Sequence, residues 1–378
     1  MTRIAFINTW LREGGVSEII FGIARHFKAD APDLQVFVLT RRVFPDQLPA
    51  DISDILTIVR TDDYPAAIRE HHIDIVVQNS RLEKDIDQIR ATGVKVVFAD
   101  HGEPFNARYE IIDRRMGGRK RVFIKRLFWE LFLKRAYTTG GKAMRLAVKR
   151  TLKAYDSCDA YVCLCEPYRQ TLLATLPGAS PGKIFAIENP VYPVNNPTLD
   201  KEKSILYCGR LSDYDKKPDR LLRIWAKVQD QLPDYRLDIV GDGYERQRLE
   251  KLALKLGLQR YTFHGNQTDV DPFYRKADVL CLVSRTEGWG LCLTEAQAHG
   301  TIPLAFDASD GVRLVLSDGA GFTVPQGDED AFAKELVRIC RLPEDRKKER
   351  RLRCIRKIER AAQAQSVGKW EGMFRSLL

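Results

Sequence analysis

The sequence contains no long apolar segment. Its first apolar run, Ile4–Ile7, has four residues, whereas the core of a secretory signal needs about 7–15 residues and a membrane-spanning helix about 20. We therefore expect a cytoplasmic protein without a spanning helix. With 44% hydrophobic and 30% charged residues, 25 glycines and 17 prolines, the chain is too apolar for intrinsic disorder and too poor in glycine and proline for a fibre. Its 378 residues are enough for two folded domains of about 100–200 residues each.

Cysteine and histidine occur without a metal-binding pattern. The chain has 8 cysteines and 6 histidines. Cys163 and Cys165 share one face of a predicted strand, but no Cys-x-x-Cys or His-x-x-x-His spacing accompanies them, and a zinc site would need such a set of ligands. A chain of this length also needs no disulfides in order to fold. We therefore expect reduced, mostly buried thiols and no bound metal.

The glycine pattern of dinucleotide-binding proteins is also missing. No Gly-x-Gly-x-x-Gly follows the first predicted strand, and Gly241-Asp242-Gly243 has Arg246 where the third glycine would stand. That fingerprint lets a strand-to-helix turn hold the pyrophosphate of NAD or FAD. The sequence therefore disfavours a nicotinamide or flavin enzyme, and we expect no cofactor.

Acidic residues are nearly absent from one stretch of the chain. Residues 114–153, the basic insert, hold 14 lysines and arginines and one acid, Glu130. The insert therefore carries a charge of +13, and the rest of the chain carries −3 within a net charge of +10. Such a segment indicates an anionic partner at one place on the surface. No RNP-like strand, zinc-finger spacing or recognition-helix pattern accompanies it, which disfavours nucleic acid.

Within the basic insert, residues 122–137 mix aromatic and aliphatic side chains with lysine and arginine. No apolar run there exceeds three residues, so the segment is too short to cross a bilayer. Basic residues beside Phe, Leu and Trp are typical of a helix that lies on anionic lipid. We expect the insert to dock peripherally on an anionic membrane surface, on the inner face of the cell membrane. A domain helix that buries Phe123, Leu127, Phe128 and Leu131 is the alternative.

Short β-rich runs alternate with amphipathic stretches along the chain. This alternation predicts mostly parallel sheets flanked by helices, an α/β fold. Three prolines and three asparagines in residues 189–197 interrupt it, because neither residue suits the interior of a helix or central strand. We predict domains at 1–190 and 191–360, and a final helix, 361–378, that returns to the first domain. The predicted strands are Arg3–Asn8, Leu34–Thr40, Ile55–Val59, Ile73–Gln78, Val94–Ala99, Ala160–Leu164, Lys183–Ile187, Ser204–Cys208, Arg236–Val240, Tyr261–His264, Val279–Val283 and Ile302–Ala305.

Ligands of doubly wound sheets bind at the carboxyl ends of the strands, and paired glycines follow the first predicted strand. Gly14 and Gly15 precede the amphipathic stretch Ile19–Phe27. Backbone N–H groups can approach an anion there, and Ser17 can cap the helix. A tight turn between strand and helix would need the same glycines.

Two cations follow the strand that opens the second domain. Arg210 comes two residues after the predicted strand Ser204–Cys208, and Lys216 lies six residues further on, at a predicted helix start. Together with helix N–H groups they would form a cradle for a diphosphate. Surface charge on a loop is the alternative.

Two carboxylates follow the predicted strand Val279–Val283. Glu287 lies in a glycine-flanked loop, and Glu295 lies in the helix predicted after it. Carboxylates accept hydrogen bonds from the hydroxyls of a sugar or ribose, and the backbone N–H groups at the helix start suit a phosphate. A carboxylate among such small, apolar neighbours is seldom left without a partner. The other residues of this segment that we predict to bind the ligand are Gly288, Trp289, Gly290 and Leu291.

Together these motifs resemble the retaining family 4 glycosyltransferases of GT-B fold. The resemblance covers most of the chain and implies two Rossmann-like domains that face each other across a cleft, with the acceptor on the first and a nucleotide sugar on the second. It also implies that Arg210 and Lys216 neutralise the diphosphate, that Glu287 contacts the transferred sugar and that Glu295 holds the ribose. The motifs are Gly14-Gly15, Gly209-Arg210 with Lys216, Gly241-Asp-Gly243, and Glu287-Gly-Trp-Gly290 with Glu295.

The resemblance adds one candidate from the first domain. His101 follows the predicted strand Val94–Ala99, where the family often has a histidine that faces the sugar; a structural histidine is the alternative. Asn189 resembles the family's asparagine at the domain crossover. The chain departs from the family after Pro303, where 307–313 lacks the usual pair of glycines and glutamate.

These expectations predict an enzyme that transfers a sugar from a nucleoside diphosphate sugar to a hydroxyl of a glycan or lipid-linked acceptor, with retention of configuration. The setting would be cell-surface polysaccharide or lipopolysaccharide synthesis. We expect no metal, although Asp213–Asp215 forms an Asp-x-Asp pattern near the cradle. The alternatives are an epimerase or phosphorylase of the same fold, and a protein that binds anionic lipid or nucleic acid. The predicted catalytic residues are Glu287, His101, Arg210 and Lys216.

Overall fold

The computed structural model describes residues 1–12, 14–116, 141–363 and 366–378. The chain divides into two units, Met1–Pro190 with Ser366–Leu378, and Val191–Gln365. Residues 117–140, which make up most of the basic insert, lie outside the described residues, so the prediction of an interfacial helix there stays a prediction. The described parts of the insert are residues 114–116 and 141–153.

The first unit is built on a parallel sheet of seven strands. Its strands are β1 (Thr2–Ile7), β2 (Trp10–Leu11), β3 (Leu34–Thr40), β4 (Arg42–Val43), β5 (Thr57–Arg60), β6 (Ile75–Asn79), β7 (Lys95–Ala99), β8 (Ala160–Cys163) and β9 (Ile184–Ala186). The seven-stranded sheet has the order β5-β3-β1-β6-β7-β8-β9, and β2 pairs separately with β4. The helices are α1 (Gly15–Asp30), α2 (Ile52–Ile55), α3 (Tyr64–Glu70), α4 (Ile86–Ala91), α5 (Ala107–Met116), α6 (Lys142–Asp156) and α7 (Glu166–Thr175), with a 3₁₀ turn at Pro45–Gln47.

The second unit repeats this architecture with six parallel strands. They are β10 (Ser204–Cys208), β11 (Arg236–Val240), β12 (Tyr261–Gly265), β13 (Val279–Leu282), β14 (Ile302–Phe306) and β15 (Phe322–Val324), in the order β12-β11-β10-β13-β14-β15. The helices are α8 (Pro218–Val228), α9 (Arg246–Lys255), α10 (Asp271–Lys276), α11 (Leu291–Ala298), α12 (Asp310–Leu316), α13 (Glu329–Cys340) and α14 (Glu344–Gln363). The last helix of the chain, α15 (Ser366–Leu377), belongs to the first unit.

The inner strands of both sheets are buried on their two faces, as parallel strands covered by helices require. In β1, the run Ile4–Ile7 is buried throughout. Helix α1 covers the sheet with an apolar stripe of the kind that a 3.6-residue period produces. Phe374 of α15 lies against Phe6 and Phe27, with ring centroids 6.5 and 6.1 Å apart. The final helix therefore completes the core of the first unit.

A buried ionic cluster fastens α14 to the second unit. Asp278 precedes β13 and accepts from Lys347 Nζ over 2.5 Å and from Arg351 Nη2 over 2.6 Å. All three side chains are buried, and removal of one partner from such a cluster leaves an uncompensated buried charge. Asp278 lies directly before β13, and the loop after the other end of β13 carries Glu287. The cluster therefore fixes the strand from which the candidate site extends.

The strand orders place two potential binding positions. When the strands of each sheet are numbered along the chain, both sheets contain the 3-2-1-4-5-6 order of doubly wound folds, and β9 adds a seventh strand to the first sheet. In such folds ligands bind at the carboxyl ends of the two strands where the order reverses. Those strands are β1 and β6 in the first unit and β10 and β13 in the second. The α/β fold class predicted from the alternation is confirmed, with Rossmann-like strand order in each unit.

Two local predictions are wrong. Ser17 does not cap α1, because the helix already begins at Gly15 with Gly14 as its N-cap; the Ser17 hydroxyl instead accepts from Asn8 Nδ2 over 3.3 Å. Ile55 belongs to the end of α2 and not to a strand. The eight cysteines are free, and six of them are buried, as predicted. No helix in the described ranges combines the length and the apolar character needed to cross a membrane.

Candidate active site

The loops that follow β10 and β13 meet where the strand order of the second sheet reverses. The backbone N–H of Arg285, in the loop after β13, donates to the carbonyl of Asp215, in the loop after β10, over 2.7 Å. This bond fixes the two loops side by side. It brings Lys216, which the sequence places far from Glu287, next to that carboxylate.

Lys216 and Glu287 form an ion pair at this junction. Lys216 Nζ lies 2.5 Å from Glu287 Oε2, and the Ser284 hydroxyl donates to the same oxygen over 3.3 Å. Both charged side chains are largely buried, with 24% and 13% of their surfaces exposed. Burial disfavours the ammonium, but the Glu287 carboxylate outweighs it, so the pKa of Lys216 is raised above its ordinary value. The lysine is therefore a permanent cation at neutral pH.

The neighbouring lysine has a different partner. Lys217 adopts a left-handed conformation with φ 49° directly before α8, and its Nζ donates to Asp213 Oδ1 over 3.1 Å. The chain thus turns sharply between the two lysines and sends their side chains to different acids. The structure therefore places Lys216, and not Lys217, beside Glu287.

Arg210 lies on the exposed side of the same loop. Its guanidinium is 58% exposed and donates from Nη2 to Asp215 Oδ2 over 2.7 Å. The Ser212 hydroxyl also donates to Asp215. Burial alone would raise the pKa of Asp215, but the hydrogen bond from Ser212 and the charges of Arg210 and Lys216 lower it overall. Asp215 is therefore ionised and holds Arg210 at the rim.

The Gly-Asp-Gly motif supports this loop from behind. A Cβ at Gly241 would collide with the carbonyl of Gly209, and one at Gly243 with the carbonyl of Leu211. Leu211 N donates to the Asp242 carbonyl over 2.9 Å. The two glycines are needed for close backbone approach to the loop that carries Arg210, which is a packing role.

Glu295 lies in the second turn of α11. That helix starts after Gly290, whose φ of 81° suits glycine. Tyr274 Oη donates to Glu295 Oε2 over 2.5 Å. Trp289 is buried, and its indole Nε1 has no hydrogen-bond partner among the described residues. The helix start therefore presents backbone N–H groups beside an oriented carboxylate.

In residues 307–313, the segment that departs from the family pattern, the charged side chains pair with one another. Arg313 donates from Nε to Asp307 over 2.7 Å and also contacts Asp310. Ser309 caps α12 by accepting from Val312 N over 3.3 Å. This segment presents an arginine held by two aspartates.

The first unit has its own polar cluster around His101. His101 Nε2 lies 3.0 Å from Asn79 Oδ1, and Asn79 Nδ2 donates to the carbonyl of Ile7 over 3.2 Å. Because the amide nitrogen of Asn79 is engaged by that carbonyl, its oxygen faces His101, and Nε2 must carry the proton. Burial lowers the pKa of His101 to about 4, against an opposing contribution from Asn189. Burial also raises the pKa of Asp100, which accepts from Tyr161 Oη, to about 6.

The paired glycines open the same edge of the first sheet. Gly14 has φ 150°, and apart from its chain neighbours no described residue lies within 4 Å of the position that a Cβ would take; Gly15 is the first residue of α1. The space beside Gly14 leaves the first N–H groups of α1 approachable, consistent with either an anion site or a turn.

The structure brings part of the predicted set together. Arg210, Lys216 and Glu287 share one loop junction, and Glu295 lies in the helix that follows it. His101, Gly14 and Gly15 belong to the other unit. Sequence reasoning missed the residues that orient these groups; of these, only Asp215 stood in a motif, the Asp-x-Asp pattern. The missed residues are Ser212, Asp215, Tyr274, Ser284 and Asn79.

The described residues offer no cluster of three or more His, Cys, Asp or Glu side chains that could hold a metal ion. In the Asp-x-Asp pattern, Asp213 is paired with Lys217 and Arg248, and Asp215 is paired with Arg210. The positive charge near these aspartates therefore comes from side chains.

Comparison with protein families identifies the second unit. Residues 191–358 match the family model described as glycosyl transferases group 1. An uncharacterized glycosyltransferase of Haemophilus influenzae is 32% identical over 225 residues, which are 58% of this chain and 62% of that protein. An α-1,4-N-acetyl-D-galactosaminyltransferase of Campylobacter jejuni, named for an undecaprenol diphosphate-linked acceptor, is 34% identical over 141 residues, 37% of this chain and 39% of that protein. The chain thus spans less than two thirds of the length of these relatives.

Solved structures resemble the whole chain. The lipopolysaccharide outer core galactosyltransferase WaaB, in its apo form, superposes with a TM-score of 0.64 at 18% identity and full coverage of both chains. Anabaena HepE in complex with UDP and glucose superposes with a TM-score of 0.73 at 15% identity, again over both full chains. At such identities the likeness shows the fold alone. The predicted GT-B fold is confirmed, and residues 191–358 match a glycosyltransferase family model.

Proposed function

We propose that this chain, whose residues 191–358 belong to the group 1 glycosyl transferases, is a retaining glycosyltransferase. It moves a sugar from a nucleoside diphosphate sugar to a hydroxyl of a glycan or lipid-linked acceptor, in cell-surface polysaccharide or lipopolysaccharide synthesis. The observation that carries the proposal is the contact of Lys216 with Glu287 where the strand order of the second sheet reverses.

The two cations fit the leaving group of this reaction. Departure of a nucleoside diphosphate from the anomeric carbon builds negative charge on the phosphate oxygens. Lys216 and Arg210 hold positive charge at the mouth of the sheet, and their positions are set in advance by Glu287 and Asp215. Preorganised charge of this kind stabilises a transition state more than mobile charge does. We assign both residues to the diphosphate.

Glu287 fits the sugar side of the same junction. Its carboxylate can keep its contact with Lys216 through one oxygen and accept sugar hydroxyls with its remaining lone pairs. In the proposed step the bond from the anomeric carbon to the phosphate breaks, and a bond to the acceptor oxygen forms on the same face. The acceptor proton passes to the leaving phosphate oxygen, so the step needs no protein base.

The relatives support the substrate classes. The name of the Campylobacter relative specifies a glycan linked to undecaprenol diphosphate, and other relatives act in amylovoran and lipopolysaccharide core biosynthesis by their names. HepE was solved with UDP and glucose. These features motivate a nucleotide-sugar donor and a lipid-linked acceptor for this chain.

The described end of the basic insert supports peripheral membrane docking. Helix α6 buries three alanines, Ala143, Ala147 and Ala154, on one side. Its basic residues are all exposed, and the helical period places Arg145 and Lys149 on the side opposite the alanines. A cationic face of this kind is attracted to anionic lipid, where a lipid-linked acceptor would be found. The exposed basic residues are Lys142, Arg145, Lys149, Arg150 and Lys153.

Product analysis tests the proposed reaction. The protein is incubated with UDP-, GDP- and ADP-sugars, with and without lipid-linked glycan acceptors, and Glu287→Gln is the matched variant. The proposal expects a new glycoside of retained configuration and free nucleoside diphosphate in equal amounts, with transfer strongly reduced in the variant. Free epimerised sugar without acceptor would indicate an epimerase, and dependence on inorganic phosphate a phosphorylase. Failure of all these nucleotides to bind would reject the proposed function.

A further inference from the structure

Tyr274 is a buried tyrosine that contacts Glu295. Its hydroxyl donates to Glu295 Oε2 over 2.5 Å. Its ring is 0% exposed and stacks on the His299 ring, with centroids 5.5 Å apart. His299 Nδ1 in turn donates to the carbonyl of Glu295 over 2.8 Å. The two rings therefore hold the side chain and the backbone of Glu295 together.

Lys201 fastens the two helices that carry these residues. Its ammonium donates to the carbonyls of Tyr274 and Arg275, at the end of α10, over 3.1 and 2.9 Å. It also donates to the carbonyl of His299, directly after α11, over 2.8 Å. Helix ends carry unpaired carbonyls and partial negative charge, so one lysine head group caps both ends; burial lowers the pKa of Lys201 to about 7. Lys201 thereby fixes the distance between α10, which carries Tyr274, and α11, which carries Glu295.

The chemistry of this contact differs from that at Glu287. Burial and the nearby Glu295 carboxylate raise the pKa of the Tyr274 hydroxyl well above its ordinary value, so Tyr274 is a neutral donor. A neutral hydroxyl orients a carboxylate without cancelling its charge, whereas Lys216 neutralises Glu287. A charged carboxylate has two oxygens and can accept hydrogen bonds from more than one hydroxyl group. Two adjacent hydroxyls on one ring, as in ribose, match that requirement.

We propose that Tyr274 and Lys201 are positioning residues of a ribose subsite formed by Glu295. This inference rests on the proposed function, in which Glu295 accepts hydrogen bonds from the ribose of the donor. A carboxylate held in one orientation before binding has less conformational freedom to lose when the ligand arrives. Removal of the Tyr274 hydroxyl therefore weakens the ribonucleotide while leaving the reacting groups in place.

The test compares ligands with and without ribose hydroxyls. Calorimetric titration of the full chain with UDP, GDP and ADP identifies the tightest nucleotide, and its 2′,3′-dideoxy form is then titrated. We expect Tyr274→Phe to bind the ribonucleotide about tenfold more weakly, since a hydrogen bond to a charged group is lost, and to bind the dideoxy form like wild type. In transfer assays KM for the donor rises and kcat is nearly unchanged. Tyr261→Phe, which removes a hydroxyl from β12, is the matched control.

Each other outcome has a defined meaning. Wild type that prefers the ribonucleotide, with Tyr274→Phe unchanged or equally weakened for both ligands, overturns the inference and spares the proposed function. Wild type that binds both forms alike removes the ribose role of Glu295 and the inference with it. If Tyr274→Phe unfolds, Lys201→Met is titrated in the same way. A loss for the ribonucleotide alone supports the inference, and equal affinities overturn it.

Discussion

The ammonium of Lys216 lies 2.5 Å from Oε2 of Glu287, although 71 positions separate the two residues in the chain. The contact joins the residue we assign to the diphosphate with the residue we assign to the sugar. Each residue therefore holds the other in position and offsets its charge. A substitution of Glu287 is therefore expected to change how Lys216 interacts with the diphosphate, and a substitution of Lys216 to change how Glu287 interacts with the sugar.

The Glu287→Gln variant should separate nucleotide binding from sugar transfer. The amide keeps the shape of the side chain but no longer neutralises Lys216, so the lysine is a freer cation for the diphosphate. We expect the affinity for the bare nucleoside diphosphate to equal or exceed that of wild type, while the transfer rate falls. Titration and initial-rate measurements check this. Unchanged turnover would remove Glu287 from the mechanism.

The Lys216→Met variant should lose affinity for the bare nucleoside diphosphate. A hydrogen bond to a charged group contributes about 1.5–3 kcal/mol, so binding should weaken by about 10- to 150-fold. Lys217→Met is the control, because it removes the same charge one position later, where Lys217 contacts Asp213. Equal losses in the two variants would indicate a general charge effect and not a diphosphate ligand.

The fold was accessible to sequence reasoning where strands were long and buried. The run Ile4–Ile7 reads as a strand because both faces of a parallel sheet are covered and every position is apolar. Strands β2 and β4 were missed, since two residues carry no measurable period. The three-residue strand β15 was also missed, whereas β9, which is equally short, was predicted. Ser17 was misassigned because a cap depends on which residue starts the helix, and the sequence allowed more than one start.

The residues of the candidate site also differ in whether the sequence could predict them. Lys216 and Glu287 stand in motifs with recognisable spacing, so they could be proposed before their contact was known. Tyr274 and Asn79 could not, because each lies in an ordinary helix or strand and acquires its role from a partner on another element. Local patterns identify residues that face a ligand, whereas the groups that orient them are fixed by tertiary packing.

Transfer should not require a divalent ion. The two aspartates of the Asp-x-Asp pattern nearest the cradle already contact cationic side chains, Asp213 with Lys217 and Asp215 with Arg210, and Lys216 and Arg210 supply the positive charge. We expect full activity in excess EDTA and no change in Asp213→Asn. Initial rates with and without chelator are the measurement. Activity abolished by EDTA and restored by magnesium or manganese would contradict the assignment.

Acidification should destabilise the first unit through His101. Burial lowers its pKa to about 4 from 6.5, so as the pH falls below about 6.5 the unfolded chain binds the proton first and the folded state loses stability, until the folded pKa is passed. Relative to His101→Gln, wild type should lose about 2 kcal/mol more between pH 7.5 and pH 5.

Asp100 titrates in the same range, and its effect has the opposite sign. Its raised pKa of about 6 means that the folded state takes up a proton on acidification, which stabilises it. Asp100 is present in both wild type and His101→Gln, so its contribution largely cancels in their difference. Urea unfolding at several pH values gives that difference. Parallel curves for the two proteins would show that His101 is not held neutral by the fold.

Membrane docking can be tested on the described end of the basic insert. Lys149 and Lys153 lie one helical turn apart on the exposed side of α6, and each charge near an anionic surface contributes about 1 kcal/mol. Replacing both with glutamine should therefore reduce vesicle binding by about 30-fold. The control is the double change Lys251→Gln and Lys255→Gln on α9 of the second unit, which alters net charge equally but removes it from another surface.

Co-sedimentation with phosphatidylglycerol vesicles should show wild-type binding that falls as salt rises, because screening shortens the reach of the lipid charge. Neutral phosphatidylcholine vesicles should bind none of the proteins. Equal binding by the two double variants would assign the attraction to overall charge, and wild-type binding that ignores lipid charge would remove the membrane role of the basic insert.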